Sequence, residues 1–467
     1  MSVSYSLGTR LLRRSTNRPP GPRPRYPGQF VVSLATDKLA LFGGMARHGD
    51  VSQIMIGPQR VALLSHPDDI QALLVTKQRS FIKGRALDAT RVLLGNGLLT
   101  SEGEEHLRQR RLIQPAFHKD RLTSYGECMA GYAERLQAGW QANQRIDIHE
   151  AMMRVTLAIA GRTLFDADVE GDAHDVAEAL ELSLRMFNRA ILPMGVLLEY
   201  APIPWVRELH RSRRRLDALI RRLIEERRAE ARDRGDLLSM LITARDEEGD
   251  KRGMTDKQLR DELVTLILAA HETTANALTW TWYLLSRHPH AEARLHQELD
   301  EVLGGRLPTV ADLPRLPYTR QVIAESMRIF PPAWAVERRA TEDVQIGGYT
   351  IRKGTVVLAC QYFVHRDPRW WPEPERFLPE RWSEPSRDRP KFAYFPFGAG
   401  TRICIGEHFA WMEATLVLAT LAQRWRMRYE ERESPIPEPM VTLRPRDGLP
   451  VRLVPRTPGD AGTLPAA

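Results

Sequence analysis

The amino-acid sequence predicts a mainly α-helical protein with small β-sheets, and three features support that fold class. The chain has 467 residues, 43% of them hydrophobic, which is enough for a large buried core. Residues 255–288 have the start signal, the length and the end signal of a helix about 50 Å long. Short β-type segments flank the helical middle, at 51–57 and 60–65 and again at 344–351 and 354–360.

The long helix is the clearest single element. It begins with a capping-box pattern at Thr255 and Gln258 and ends before a proline. Its middle, LVTLILAAHETTANAL, is apolar almost all round, so we expect that part to be buried. Two further helices are expected: one over 317–329, which is stopped by two prolines, and one that begins near Glu407.

The two ends of the chain differ in composition from the rest. We expect one domain over 28–455, between a disordered, basic, proline-rich arm (1–27) and a disordered tail (456–467). The arm has six arginines and no acidic residue, which is also typical of a mitochondrial transit peptide, so that alternative stays open. No stretch approaches the roughly 18 to 20 apolar residues of a membrane span, so we expect no transmembrane anchor and a cytoplasmic protein.

Charge and cysteine content exclude several classes of protein. The net charge of +8 is modest for this length, and we expect a monomer with no nucleic-acid partner. The highly charged segment 208–236 predicts a helix with a solvated face, although its basic residues could also bind an acidic partner. Cys128, Cys360 and Cys404 form no metal-binding or disulfide pattern, which indicates a reducing compartment.

The stretch FPFGAGTRICIG, residues 395–406, contains a single cysteine in a glycine-rich loop. Gly398 and Gly400 allow tight turns, and Cys404 stands just before a predicted helix, whose positive end favours a thiolate. Arg402, two residues earlier, suits an anionic group on the same partner. The alternative is a buried structural cysteine, since cysteine is among the most buried residue types.

The spacing of this loop resembles that of a known family. Phe397, Gly400, Arg402, Cys404 and Gly406 match F-x-x-G-x-R-x-C-x-G, which is similar to the haem-binding loop of cytochrome P450 enzymes. The resemblance implies the cytochrome P450 fold, with haem b between the long central helix and the cysteine loop with its following helix. It also implies that Cys404 is the iron ligand and that Phe397, Arg402 and Gly406 contact the cofactor.

A second resemblance lies in the helix over 317–329 and the segment after it. Glu325 and Arg328 form E-x-x-R, a spacing that puts both side chains on one helix face. In the family, such a pair joins an arginine from a later segment and holds the cysteine loop in place. The resemblance assigns that third role to Arg381, in FLPERW, with Arg376 as the competing candidate.

A third resemblance is the sequence AAHETT in the long helix. A charged Glu272 beside Thr273, among apolar residues, is costly to bury without a function. The family has an acid–alcohol pair here that delivers protons during oxygen activation, and Ala269 would lie against the haem. Ala270 replaces the glycine that is usual in the family. A structural alternative is that the threonine bonds to the carbonyl one turn back and bends the helix.

A fourth resemblance concerns the acidic edge of the haem. His106 and Arg110, four residues apart in GEEHLRQRR, correspond to residues that hold haem propionates in the family, as does Arg338. Together with Arg402, these groups offer charge-assisted hydrogen bonds to two carboxylates.

The resemblance implies a monooxygenase that inserts one atom of O2 into a hydrophobic small molecule. Because the domain fills the chain, electrons should come from a separate ferredoxin or flavodoxin, which we expect to dock at basic residues near the cysteine loop, Lys391 and Arg402, unless Arg402 is committed to the haem. A peroxygenase or isomerase on the same fold, or a non-catalytic haem sensor, are the alternatives. Of all these functions, only that of a monooxygenase needs the proton-relay pair Glu272 and Thr273.

The substrate pocket should be mainly apolar. Its expected lining includes Leu268, Ala269, Val336 and the region 81–98, and the apolar stretch 190–205 is expected to form part of the entrance or to touch a membrane. A terpenoid or a fatty-acyl compound is the expected substrate.

Overall fold

The computed structural model describes residues 18–117, 119–166, 204–230, 232, 234–249, 251–384, 386 and 388–456. In chain order the described helices are α1 (Gln29–Thr36), α2 (Lys38–Ala46), α3 (Pro67–Gln71), α4 (Arg85–Leu94), α5 (Gly103–Ile113), α6 (Lys119–Ala138), α7 (Ile148–Phe165), α8 (Pro204–Glu230), α9 (Leu237–Thr243), α10 (Asp256–Arg287), α11 (Pro289–Leu303), α12 (Pro317–Ile329), α13 (Gln361–Val364) and α14 (Glu407–Ala422). Most of the stretch expected at the substrate entrance, residues 190–203, lies outside the described residues.

The strands are short and lie in small sheets, as the fold class predicts. They are β1 (Val51–Ile56), β2 (Gln59–Leu64), β3 (Phe81–Lys83), β4 (Arg145–Asp147), β5 (Val336–Ala340), β6 (Val344–Ile346), β7 (Tyr349–Ile351), β8 (Val356–Ala359), β9 (Trp425–Arg428), β10 (Pro437–Pro439), β11 (Leu443–Pro445) and β12 (Pro450–Pro455). The largest sheet has the order β1-β2-β8-β5-β3, with β2 and β8 parallel and the other neighbours antiparallel. The remaining sheets are β4-β12-β9, β6-β7 and β10-β11.

The predicted helices are present with nearly the predicted ends. Helix α10 begins after Thr255, whose side chain accepts a hydrogen bond from Gln258 N while Gln258 Oε1 accepts one from Thr255 N (2.9 Å). This reciprocal pair satisfies two backbone donors that a helix start leaves without partners. Helix α12 covers the predicted residues, and α14 starts at Glu407 as expected.

Helix α10 runs through the centre of the protein. It packs along α7, where Thr156 Oγ1 donates to His271 O (3.0 Å), and it also contacts α12 and α14. Trp280 and Trp282 are fully buried, and Trp280 stacks on Phe330 with 4.1 Å between ring centroids. Such burial of large aromatic side chains contributes strongly to the core.

The charged helix α8 has two faces. Its apolar residues Leu216, Ile220 and Ile224, spaced by four residues, are buried in a cluster with α10 residues such as Leu263. Arginines such as Arg211 lie on the outer face and are exposed. This amphipathic pattern explains how so charged a segment forms a stable helix.

The described residues of the predicted arm (1–27) and of the predicted tail (456–467) contact the folded domain. In the predicted arm, Pro19 is buried and Pro20 O accepts a hydrogen bond from Gln53 N of β1 (2.7 Å). In the predicted tail, Arg456 is buried and pairs with Asp300. Among the described residues, no helix has the length and apolarity that crossing a membrane requires.

Candidate active site

The cysteine loop connects a tight turn to the start of α14. Gly398 and Gly400 both have φ of +71°, a left-handed conformation that strongly favours glycine. At Gly400 there is also no room for a side chain, because a Cβ atom would lie 2.1 Å from Leu74 O. The loop closes when Cys404 N donates to Phe397 O (3.0 Å), just before α14 begins.

Cys404 is accessible, yet the surrounding protein desolvates its thiol. Burial raises the pKa of its thiol to about 11, against a smaller lowering by the Gly406 backbone N–H and by Arg110. The expected favourable effect of the helix start is present, since the Gly406 N–H lowers the pKa of the thiol, but desolvation is the larger effect in the protein without a cofactor. A metal cation bound at Sγ would reverse this balance, since metal-coordinated thiols are deprotonated.

Within the central turns of α10, accessible side chains occur only at residues 269–273. Ala269 is exposed, and Ala270 and Thr273 are partly so, whereas residues 261–268 of the same helix are all buried. Ile405, next to Cys404, packs in the same apolar cluster as Leu268 and Ala270. The cysteine loop and the accessible turn of α10 therefore border one internal region.

Glu272 and Thr273 have separate hydrogen-bond partners. Thr273 Oγ1 donates to Ala269 O one turn back (2.8 Å). The Glu272 carboxyl group is buried and accepts a hydrogen bond from Thr442 Oγ1 (2.6 Å), a residue that sequence reasoning did not find. Burial raises the pKa of Glu272, and the Thr442 bond and Arg444 oppose that rise.

The predicted propionate-binding residues lie together in a cationic cluster. Besides burial, Arg402, Lys83, Arg110 and Arg338 all lower the pKa of His106, which falls to about 3. Burial and the Arg402 charge likewise lower the pKa of Arg338 to about 10. Lys83, on β3, was not predicted from the sequence, which contains no local signal for its burial.

Glu102 is an acidic residue at the centre of the hydrogen bonds of this cluster. It forms an ion pair with Arg402, whose other guanidinium nitrogen donates to Ser101 O (2.7 Å). Arg110 Nη1 donates to Ile403 O (2.8 Å), so α5 is joined to the cysteine loop at two adjacent points. Several partly buried cations facing two carboxylates, Glu102 and Glu337, leave a net positive charge that is costly without a further anion.

Glu325, Arg328 and Arg381 form one buried ion-pair network. Arg328 bonds both oxygens of the Glu325 carboxylate (2.8 and 2.9 Å), and Arg381 Nε donates to Oε1 (2.9 Å). Trp382 Nε1 donates to Oε2 (3.0 Å). Arg376, the competing candidate, pairs instead with Glu373 on the surface.

This network is connected to the start of the cysteine loop. Arg328 Nη1 donates to His365 O (2.9 Å), and His365 Nε2 accepts a hydrogen bond from Phe395 N (3.0 Å). Tyr394 OH donates to Ala324 O of α12 (3.0 Å). His365 and Tyr394 are distant in sequence from the E-x-x-R pattern, and sequence reasoning did not find them.

The loop between α4 and α5 is anchored on α10. Asn96 N donates to Asp261 (2.9 Å) and Leu98 N to Glu262 (2.8 Å), both acceptors being at the start of α10. Lys83 Nζ donates to Leu98 O (3.2 Å). Glu262 is fully buried, and burial raises the pKa of its carboxyl group to about 8.

The expected pocket-lining residues fall into two apolar clusters. Leu98 and Leu268 belong to one cluster, with Met440 and Val441 of the segment between β10 and β11. Phe81 and Val336 belong to another, built on the largest sheet.

The arrangement of donors fits haem. An accessible thiol stands beside an accessible helix turn, as a flat, iron-containing group requires, and the cationic cluster suits two carboxylates on its edge. Gly406 has φ −91° and ψ 16°, a conformation open to other residues, and a Cβ there would meet protein only at 3.7 Å. The protein's own packing therefore does not require glycine at this position, whereas close approach of a cofactor would.

Comparison with known proteins gives the same result. The family model described as cytochrome P450 matches residues 24–450. Cyclooctatin synthase of Streptomyces melanosporofaciens is 41% identical, over 91% of this chain and 92% of that protein. Cyclooctat-9-en-7-ol 5-monooxygenase of the same organism is 39% identical, over 86% of each chain. Pentalenene oxygenase of Streptomyces avermitilis is 36% identical, over 90% of this chain and 94% of that protein.

Replacement of Glu325 by Gln should destabilise the protein by about 3 kcal/mol or more, because Arg328 would keep its buried charge without a carboxylate partner. Urea unfolding measures the change. Glu373→Gln is the matched control, since its ion pair with Arg376 is exposed and should contribute less than about 1 kcal/mol. Equal effects of the two substitutions would show that the buried network does not carry this stability.

Replacement of Glu262 by Gln should remove a pH dependence of stability. The folded-state pKa of about 8 exceeds the ordinary 4.5, so the folded protein binds the proton more tightly than the unfolded chain does. The contribution of Glu262 to the free energy of unfolding is present in full below pH 4.5. It is lost as the pH rises from there through 8, by about 1.4 kcal/mol for each unit of difference between the folded and unfolded pKa values. Urea unfolding at pH 6 and pH 9 (roughly one unit above that pKa) should show a larger loss for the wild type than for Glu262→Gln. Parallel losses would contradict the assignment.

Proposed function

Because this chain belongs to the cytochrome P450 family, we propose that it is a monooxygenase of a cyclic terpenoid. As a haem-thiolate monooxygenase it inserts one oxygen atom of O2 into a hydrophobic small molecule, with electrons from a redox partner. The terpenoid class is the part that we propose. The observation that carries it is the likeness, over most of the chain, to proteins whose names refer to cyclooctat-9-en-7-ol and pentalenene, both cyclic terpenoids.

The chemistry of the pocket wall agrees with a hydrocarbon skeleton. Leu98, Leu268 and Ala269 offer apolar surface, which binds by burial rather than by directed polar contacts. A fatty acid, the other expected substrate, would need a cation for its carboxylate. Two of the described cations beside the α4–α5 loop already have partners, Arg91 with Thr100 O and Arg402 with Glu102.

Cofactor binding would use the groups described above. Cys404 would ligate the iron, and His106, Arg110, Arg338 and Arg402 would hold the propionates. The bound haem supplies the oxygen-activating chemistry, while the protein orients the substrate and excludes water. We propose haem b, held without covalent links. Thioether attachment would need cysteines at the edge of the site, and Cys128 and Cys360 lie instead on α6 and immediately before α13.

Glu272 and Thr273 would supply protons to the reacting oxygen. Thr273 already uses its hydroxyl proton to bond Ala269 O, so its oxygen can accept a hydrogen bond from a water molecule on the accessible side. Glu272 is buried, and its raised pKa keeps a proton available closer to neutral pH. In this proposal the Thr273 hydroxyl group binds water at the accessible turn, and the buried Glu272 carboxyl group behind it supplies the proton.

The electron donor should be an acidic ferredoxin or flavodoxin. Lys391 is exposed, and Arg320 of α12 lies over the ring of Trp411, which contacts Phe397 of the cysteine loop. These cations lie on the cysteine-loop side, where an acidic partner would be attracted. Arg402 does not serve this purpose well, because its ion pair with Glu102 leaves the side chain only 15% exposed. We further propose a cytoplasmic monomer with one domain over 28–455.

The substrate class can be tested on the purified holoprotein. First, a strongly red-shifted Soret band of the ferrous carbon monoxide complex should establish thiolate ligation by Cys404. Titration with cyclic terpenes should then shift the haem spin state at concentrations at least tenfold below those of straight-chain fatty acids with the same number of carbon atoms. A response to the fatty acids alone would overturn the terpenoid proposal but leave the enzyme class intact.

Replacement of Thr273 by Ala should uncouple electron use from product formation, because proton delivery would lose its hydroxyl group. Product formed per electron consumed should fall several-fold, as measured with an accepted substrate and a surrogate redox partner. Thr279→Ala is the matched control, since Thr279 makes the same bond one turn back, to Ala275 O (2.7 Å), in the buried part of α10. Unchanged coupling in Thr273→Ala would contradict the proposed role.

A further inference from the structure

The segment between β10 and β11 is fixed against the centre of the protein. Leu443 N donates to Pro332 O (2.9 Å), and Leu443 O accepts a hydrogen bond from Trp280 Nε1 of α10 (2.9 Å). Met440 O accepts one from Trp334 Nε1 (3.0 Å). The residues between these anchors, including Thr442, are therefore held at a defined distance from α10.

Thr442 lies between two side chains of α10. Asn276 Nδ2 donates to Thr442 Oγ1 (3.0 Å), and Thr442 Oγ1 donates to Glu272 Oε1 (2.6 Å). A hydroxyl group has one proton, so the bond from the Asn276 amide directs that proton toward the carboxyl group. All three side chains are buried, which makes each of these bonds costly to lose.

The spacing of Glu272 and Asn276 on α10 explains why Thr442 can bond to both side chains. Glu272 and Asn276 are four residues apart and therefore occupy the same face of α10. Thr273 lies on an adjacent face, where the helix is accessible. The carboxyl group of Glu272 is thus held on the side of Thr442, behind the turn that carries the Thr273 hydroxyl.

We propose that Thr442 is a positioning residue for Glu272: supported by Asn276, it orients the carboxyl group and stabilises its ionised form. This inference rests on the proposed role of Glu272 in proton delivery. An amide cannot readily pass a proton along, so the three residues are a support for the acid rather than a proton pathway of their own.

The titratable and charged groups around Glu272 also affect the ionisation of its carboxyl group. From β11, Arg444 favours the ionised carboxyl group and itself pairs with Glu438 (3.1 Å). On α10, His271 is buried, which lowers its pKa to about 4 and keeps it neutral. From α7, His149 interacts with Asn276 and with Asp147, one step further from the carboxyl group.

The same short segment also contacts the apolar pocket cluster. Met440 and Val441, which precede Thr442, pack in the cluster that contains Leu98 and Leu268. The position of Thr442 therefore depends on the packing of the expected substrate wall, and so does its bond to Glu272.

The experiment compares five holoenzyme variants with the wild type. Thr442→Val removes the donor at nearly constant volume, Thr442→Ser keeps it, and Asn276→Leu removes the support behind it. Thr279→Val is the control for loss of a buried hydroxyl group on α10. For each variant, infrared difference spectra against pH follow the carboxylic C=O band of Glu272, identified by its loss in Glu272→Gln. Thermal unfolding confirms that each variant is folded.

We expect the titration midpoint of the Glu272 band to rise by about one pH unit in Thr442→Val, a tenfold change in proton affinity. Asn276→Leu should produce a smaller rise, whereas Thr442→Ser and Thr279→Val should leave the midpoint unchanged. The alkaline limit of coupled turnover should move with the midpoint. An unmoved midpoint in folded Thr442→Val would overturn the inference. If instead Glu272→Gln leaves coupling unchanged, the proposed role of Glu272 fails, independently of what Thr442 does to its titration.

Discussion

The geometry of the site depends on the buried carboxylate of Glu325. It accepts hydrogen bonds from Arg328, Arg381, Trp382 and the backbone of Leu378, so a helix and a later loop meet at one side chain. From Arg328 the contacts continue through His365 to Phe395, the first residue of the cysteine loop. A buried charge of this kind is tolerated only when its partners are complete, which makes the arrangement of the loop all-or-none.

In the protein alone, the charges of the site are not balanced. Burial raises the pKa of the Cys404 thiol, while cations that include Arg338 and Arg402 lie around the carboxylate of Glu102. A cofactor that brings both a metal cation for the sulfur and carboxylates for the cations would correct both imbalances at once. Cofactor binding and stability of this region should therefore be strongly linked.

Helix α10 serves both the core and the chemistry. Its C-terminal half is held by Trp280 and Trp282, which are fully buried, and its start anchors the α4–α5 loop through Glu262. Between them the helix is accessible only around Ala269 and Thr273. A rigid helix with one accessible turn holds reacting groups more precisely than a loop would.

The sequence by itself determined the features that depend on neighbouring residues: the capped start of α10, the glycine turn before Cys404, and the E-x-x-R pair on one face of α12. Local hydrogen bonds and backbone sterics produce these features, so a short pattern predicts them. Only the tertiary structure decided that Arg381 contacts Glu325, that Arg402 pairs with Glu102, and that Thr442 bonds Glu272. The last two pairs are 300 and 170 residues apart, and such contacts depend on how the helices and sheets pack. The raised pKa of Cys404 has the same origin, because desolvation is a property of the surrounding fold rather than of the loop sequence.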